Sequence, residues 1–354
     1  MYRKLLLAVL AAGALLWRAP ETHAQSLLNL PRPSQHAVVS QRLGITDINI
    51  VYSRPLVNGR KIWGGLVPYG QVWRAGANEN TIIEFTDPVT IEGQPLAKGI
   101  YGLHMIPNEN EWTVIFSKNS TSWGSFSYDK NEDALRVNVK PHPADLRDAL
   151  TYDFDDVKPD SAVVELQWEK LAVPFTVSVN NNDVVSQSIK EQLRGGVQYT
   201  WIGWDEAANY LLSSKGNLQD ALKDSDTSLL YEERFDNLLT KSQVLDALGK
   251  KDEAAATRNK AIESANVLQL HGYGRLLQTQ GKQQEAMDIF RANLKKHPDH
   301  WIAHNEAARL ACAQGDYGSA VKEMKISAAG APDNFKPQID ALVKRLEAKE
   351  DINR

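Results

Sequence analysis

The chain carries one cysteine, Cys312, in 354 residues, so no internal disulfide can brace it and its cores must hold by packing alone. That cysteine sits in the apolar run Leu310-Ala311-Cys312-Ala313 and reads as a small buried hydrophobe, with a reactive thiol as the alternative. There is no long run of one charge sign: 40 Lys and Arg face 44 Asp and Glu, for a net charge of −4. A nucleic-acid reader needs a concentrated basic face, so no nucleic-acid partner is expected. There is also no apolar run long enough to span a bilayer. The longest, residues 5–16, would reach ~18 Å as a helix against roughly 30 Å of hydrocarbon. Preceded by Arg3 and Lys4 and followed by Thr22-His23-Ala24, it predicts a signal peptide over 1–24, cut between Ala24 and Gln25. The expected product is periplasmic or secreted, with no membrane span after cleavage. No cysteine follows the apolar run, which argues against a lipid anchor.

What is present divides the chain in two, as its length leads one to expect. Between about residues 45 and 179 the apolar period is 2. Ile48, Ile50 and Tyr52 alternate with Asp47, Asn49 and Val51, and Leu135, Val137 and Val139 with Arg136 and Asn138. Val164, Leu166 and Trp168 do the same, as do Phe175, Val177 and Val179. Such runs are strands with one face buried. Turn clusters at Asn58-Gly59, Glu92-Gly93, Pro107-Asn108 and 129–133 separate them. About nine short strands predict an antiparallel β-sandwich or jelly-roll-like domain over 25–180.

After the polar break Asn180-Asn181-Asn182-Asp183, apolar residues recur every three or four, and the chain repeats itself. Gly216, Gly249, Gly281 and Gly315 are spaced by 33, 32 and 34 residues, each followed five residues later by alanine: Ala221, Ala254, Ala286 and Ala320. In the last two copies Phe290 matches Met324 and Pro298 matches Pro332. In the first two, Ser225 and Arg258 replace the large apolar residue. A glycine closing the turn, an alanine permitting close approach and a large residue packing across the pair describe a helical hairpin. The pattern resembles the tetratricopeptide repeat (TPR). It predicts a linker or first helix over 181–197, then a TPR-like α-helical solenoid over 198–350, with four units to Pro332 and a closing helix over 334–350. Arrays of this kind offer a groove to a protein partner.

The densest motif runs from Tyr52-Ser53-Arg54-Pro55 through Gly59-Arg60, Gly64-Gly65 and Pro68-Tyr69-Gly70 to Trp73-Arg74-Ala75-Gly76-Ala77-Asn78-Glu79-Asn80-Thr81. With Gln41-Arg42-Leu43-Gly44, Gly99-Ile100-Tyr101-Gly102-Leu103, Trp112-Thr113-Val114-Ile115 and Trp168, it resembles the DUF2911 family of exported bacterial proteins, common in Bacteroidetes. The resemblance covers about 150 residues and implies no known activity. On residue chemistry alone, Arg54, Arg60 and Arg74 suit a carboxylate, sulfate or phosphate, and Tyr52, Tyr69 and Trp73 suit a sugar ring or cation. Asn78 and Glu79 add polar partners, and His104 is placed to approach the same loop. These nine residues are the candidate ligand site. The competing reading is structural, with Arg74 and Glu79 pairing to pin a tight loop.

No histidine or second carboxylate shares the loop with Glu79, so no acid–base pair, catalytic residue or cofactor is assigned. His297, His300 and His304 have the spacing of metal ligands, but Asp299 after Pro298 reads better as a helix cap, and no metal is expected. Asn119-Ser120-Thr121 is a glycosylation sequon on paper. The expectation is an exported, non-catalytic binding or scaffold protein, its β-domain holding a small anionic or sugar-like ligand and its repeats a protein. The alternative is an envelope enzyme acting on a sugar or phosphorylated metabolite through Arg54, Arg60, Arg74 and Glu79.

Overall fold

A computed structural model describes residues 31–353; the export signal expected over 1–24 lies outside them. The chain divides into two compact units at Val184/Val185.

The first unit is built from two antiparallel sheets. One has six strands in the order β1 (Gln35–Leu43), β2 (Thr46–Arg54), β3 (Ile82–Phe85), β6 (Gly99–Ile106), β7 (Trp112–Ser117) and β8 (Asp133–Val139). The other has four, in the order β5 (Gln94–Leu96), β4 (Val89–Ile91), β10 (Ser161–Ser178) and β9 (His142–Asp155). Ile48 and Ile50 of β2, Ile83 and Phe85 of β3, Leu103 and Met105 of β6, and Val114 and Phe116 of β7 share one core with Tyr152 of β9 and Leu166 and Val177 of β10. Phe116 meets Phe175 edge-on at 5.7 Å across the two sheets. This is the expected sandwich. Each buried aliphatic or aromatic side chain contributes ~1.5–3 kcal/mol over exposure, so the period-2 pattern sets the register.

One strand departs from simple alternation. Val164, Leu166 and Trp168 are even-numbered, whereas Phe175, Val177 and Val179 are odd-numbered, yet residues 161–178 form one strand. Register shifts between Gln167 and Glu169 and between Glu169 and Leu171 absorb the change, and Glu169 has φ +56°. The bulge turns the second half of the strand over so that both halves bury their apolar residues.

The second unit is helical. It begins within α1 (Asn181–Gln192) and comprises four antiparallel hairpins: α2 (Trp201–Ser213) with α3 (Leu218–Tyr231), α4 (Phe235–Ala247) with α5 (Lys251–Ser264), α6 (Val267–Thr279) with α7 (Gln283–Lys296), and α8 (Trp301–Ala313) with α9 (Tyr317–Gly330). α10 (Lys336–Glu347) closes the stack against α9. The hairpin period and the closing helix are those expected.

The glycine register needs one correction. Gly249, Gly281 and Gly315 are left-handed (φ +79°, +76° and +78°), but Gly216 is not; Lys215 takes that conformation at φ +55°. In each case the next residue's N–H reaches back to close the helix end: Gly216 to Leu211 O at 2.8 Å, Lys250 to Leu245 O, Lys282 to Leu277 O and Asp316 to Ala311 O. The first connection is one residue longer, so its glycine falls one place late. Ala221, Ala254, Ala286 and Ala320 are all fully buried, as the repeat requires. A second column of small residues runs along the first helices: Ala208, Ser242, Gly274 and Ala308, spaced by 34, 32 and 34.

Candidate functional site

The 52–81 loop leaves β2 and returns to β3, and the sandwich holds it along its length. Val57 N–H donates to Asp148 O at 2.9 Å, Gly70 N–H to Pro107 O at 2.9 Å, and Trp73 and Met105 exchange two bonds of 2.8 Å. The Ala75 carbonyl accepts from the Thr81 hydroxyl at 3.1 Å and the Tyr152 hydroxyl at 2.9 Å. Ala75 is fully buried with φ +50°, a strained conformation for a residue with a Cβ, and these two bonds hold it there.

The nine candidate residues do not converge. Tyr52 is a core residue whose hydroxyl accepts the Tyr152 backbone N–H at 3.1 Å, with the two rings edge-on at 4.9 Å. The Arg54 guanidinium donates to Leu150 O at 2.9 Å and Thr151 Oγ1 at 2.8 Å, tying β2 to β9. Arg60 turns back on its own loop, donating to the carbonyls of Leu56 and Val57. Trp73 joins Trp63, Trp112 and Trp168 in an aromatic cluster, stacked on Trp168 at 6.0 Å, with its indole N–H on Gly76 O. Tyr69 is partly exposed and lies beside Gly64.

Arg74 and Glu79 do not pair as the structural reading expected. Glu79 instead pairs with Arg32 from the segment before β1, and Arg32 also lies over the Trp123 ring. Burial opposes ionisation of Glu79. The Arg32 bond and charge, its own backbone N–H and the His36 charge outweigh that and hold the carboxyl below its usual range. Arg74 is half-buried beside Gly124, its Nε finds no acceptor among the described residues, and burial pulls its pKa down against the charge of Glu79.

His104 stands on the face of β6 away from the core, as alternation implies, but it is 2% exposed. Residues 118–132 cover it, with Nδ1 3.0 Å from Ser125 Oγ and the Tyr128 ring edge-on at 5.4 Å. Burial drives its pKa down to about 4 against the opposing charge of Asp133, so the imidazole is neutral at ordinary pH. Tyr128 in turn donates to Asp133, which holds Arg136 at 2.5 Å.

Tyr52, Asn78 and Glu79 do border a cleft of about 790 Å³, with Arg32, Ser34, Gln35, His36, Val51, Ser53, Asn80, Ile82 and residues 120–122. Asn78 donates to Ser34 O at 3.2 Å. The cleft brings together one arginine, one histidine and one carboxylate, of which only the carboxylate lies in the 52–81 motif.

In the helical unit, His300 rather than Asp299 caps α8: its Nδ1 accepts the Ile302 N–H at 3.2 Å. A turn from His297 O to the His300 N–H delays the helix by one residue. His304 pairs with Glu323 at 2.7 Å. Among the described residues no group of three His, Cys, Asp or Glu side chains can hold a metal ion.

A polar cluster that sequence reasoning missed lies on the first helices. Gln278 of α6 and Asn305, Glu306 and Arg309 of α8 are all buried. Glu306 accepts from Asn293 at 2.9 Å and lies 3.0 Å from His271 Nδ1; burial pushes its carboxyl up against those two partners. Burial pulls Arg309 down to about 10, with the charge of Arg275 adding to it. The signal was there: Arg275 and Arg309 stand 34 residues apart, one repeat, and Arg309 interrupts an apolar run.

An antiparallel sandwich followed by a stack of helical hairpins places the chain among two-part proteins with a repeat array. Residues 34–177, the β-sandwich, match the model of the family described as "Protein of unknown function (DUF2911)", as the 52–81 motif led one to expect. No match is found among curated proteins. Among solved structures the chain is similar to YrrB, described as a TPR protein with an unusual peptide-binding site, at 17% identity over 47% of this chain and 84% of that one (TM-score 0.27). It is also similar to a tetratricopeptide repeat protein from Parabacteroides merdae, at 17% identity over 48% and 68% (TM-score 0.29). MamA is similar at 13% identity over 46% and 92% (TM-score 0.29).

Proposed function

We propose that this chain is an exported, non-catalytic binding protein whose helical unit holds a protein partner along its first helices. One observation carries the reading. The first helices of neighbouring hairpins lie against one another, α2 on α4 and α6 on α8, with Phe235 of α4 edge-on to Tyr273 of α6 at 6.1 Å between them, and so form a row. A row of parallel helices repeating every 32–34 residues presents the same slots again and again, which suits an extended polypeptide.

Hydrogen exchange of the full chain with and without a crosslink-identified partner tests the proposal. Protection confined to α2, α4, α6 and α8 is the expected result. Protection only on the second helices or on the β-sandwich would overturn it.

The cleft beside Arg32, His36 and Glu79 supports a second, smaller role: holding a small anionic or sugar-like ligand. Calorimetric titration with inorganic sulfate and with glucuronate tests it, and Arg32→Gln should abolish any binding. The enzymatic alternative has less support, because Arg54 is committed to Leu150 and Thr151, Arg60 to the carbonyls of its own loop, and Arg74 lies beside Gly124.

A further inference from the structure

After α10, residues 349–353 do not run out into solvent. Lys349 turns left-handed (φ +57°), the Glu350 N–H closes the helix on Arg345 O at 2.9 Å, and residues 350–353 fold back across α8 and α6. Ile352 is 2% exposed and packs in a core cluster with Ala308 and Cys312 of α8 and Val343 and Leu346 of α10. Asn353 is 6% exposed, and its carboxamide is read on both sides: Oδ1 accepts from Gln278 Nε2 at 3.0 Å, and Nδ2 donates to Arg309 O at 3.0 Å. Gln283 donates to the Asn353 carbonyl at 3.2 Å.

The main chain of this strap is held by arginines. Arg309, 5% exposed, donates from Nη1 to Ile352 O at 2.7 Å and from Nε to Asn305 Oδ1 at 3.0 Å. Glu306, the one carboxylate on α8, takes both His271 and Asn293 on Oε1, and its Oε2 has no hydrogen-bond partner among the described residues. Arg345 donates from Nη2 to Asp351 O at 2.8 Å and from Nε to Glu350 Oε2 at 3.2 Å. Arg275 adds a third positive charge close enough to act on Arg309. The contacts therefore have the form of a peptide in a binding groove: one carboxylate beside a cation (Glu350 with Arg345), backbone carbonyls of Asp351 and Ile352 held by arginines, one aliphatic side chain in an apolar socket, and one carboxamide held by a donor and an acceptor. A buried guanidinium that lost the Ile352 carbonyl would need another acceptor.

We propose that the strap Glu350-Asp351-Ile352-Asn353 is an internal ligand of the groove formed by α6, α8 and α10. A protein partner presenting an extended acidic segment of the same chemistry displaces it. This rests on the reading of the first helices as a protein-binding row and adds to it the partner's chemistry and a built-in competitor. A tethered strap competes at the high effective concentration its short connection imposes, so the groove opens only to a partner that matches it better or arrives with further contacts.

The single cysteine makes the strap observable. Cys312 Sγ lies 3.6 Å from Asp351 Oδ1 and 4.0 Å from Glu350 O, so the strap covers the thiol. The test measures maleimide labelling of Cys312 in the full chain, in Arg345→Gln, and in Ile352→Ser/Asn353→Ala. Arg345 is partly exposed, so its replacement leaves the helical core intact if the double variant folds poorly. Both variants should label at least about tenfold faster than the native chain. The probe peptide is Ala-Lys-Glu-Asp-Ile-Asn, acetylated and amidated. It should slow labelling of the variants again and bind them at least about tenfold more tightly than it binds the native chain. The same peptide with lysines for its two acidic residues should do neither.

Labelling at the native rate in both variants would overturn the proposal. So would failure of the acidic peptide to bind a variant whose thiol is open. Partner protection of α2 and α4 alongside such a failure would keep the protein-binding reading and remove only the strap.

Discussion

Gly274 of α6 lies under the ring of Phe290 of α7, so close that a Cβ there would stand 2.7 Å from Cδ1 and 3.0 Å from Cζ. Phe290 is fully buried and cannot swing away. Alanine in place of glycine gains about 1 kcal/mol of helix propensity, whereas overpacking a filled core costs ~1–3 kcal/mol. Gly274→Ala should therefore lower the stability of the helical unit despite the better helix former. In a Phe290→Ala background, itself ~3–5 kcal/mol less stable, the sign should reverse. Urea denaturation of the four proteins of the cycle measures this; a destabilising Gly274→Ala in both backgrounds would contradict it.

Lys215 occupies a slot that glycine fills in the other three hairpins. A left-handed conformation costs a residue with a Cβ roughly 1–2 kcal/mol, part of which glycine's greater unfolded-state entropy takes back. Lys215→Gly should raise the unfolding free energy by about 0.5–1 kcal/mol. Gly281→Ala should lower it by about 1 kcal/mol, since a Cβ there meets no neighbour within 4 Å and only the backbone suffers. Thermal melts of both variants followed by circular dichroism would decide the matter.

Tyr52 and Glu79 both border the cleft but differ in what their removal exposes. Tyr52→Phe leaves the buried Tyr152 N–H without an acceptor and should cost about 1–3 kcal/mol. Glu79→Gln weakens a solvent-exposed pair with Arg32 and should change stability by less than about 1 kcal/mol. Equal losses in tryptophan-monitored unfolding would mean that the Arg32–Glu79 pair braces the loop more than its exposure implies.

His104 makes the sandwich sensitive to mild acid. Its pKa is about 4 in the folded protein against about 6.5 when unfolded, so the unfolded chain takes up the proton first as pH falls. Stability should be fully present above about pH 6.5 and decline towards pH 4, by about 3 kcal/mol at most. His104→Gln should flatten that slope, whatever it does to stability at pH 7. Urea midpoints at pH 7 and pH 5 for the two proteins give the comparison; an unchanged slope in the variant would assign the acid sensitivity elsewhere.

Much of the architecture was legible because it follows from local rules. A period of 2 with turn signals makes half-buried strands, and a 32–34-residue recurrence of turn glycines and small residues makes helical hairpins. The misreadings occurred where one residue of slippage matters. Gly216 lies one place past the left-handed position that Lys215 holds, and His300 caps α8 one place after Asp299. The parity change between Trp168 and Phe175 was visible in the sequence, but only the bulge at Glu169 shows it to be a single strand.

Residue order alone encodes two units of different period, the hairpin repeat, and burial of the alternating apolar residues. These depend on spacing along the chain and on water's exclusion of apolar surface. Tertiary structure alone decided what each polar side chain does. Arg54 finds Thr151 at a separation of 97 residues, Glu79 finds Arg32 rather than Arg74, and Arg309 finds Ile352 across 43. A guanidinium or carboxylate accepts any partner of suitable charge and geometry, so its choice is made by which elements packing brings within ~3 Å.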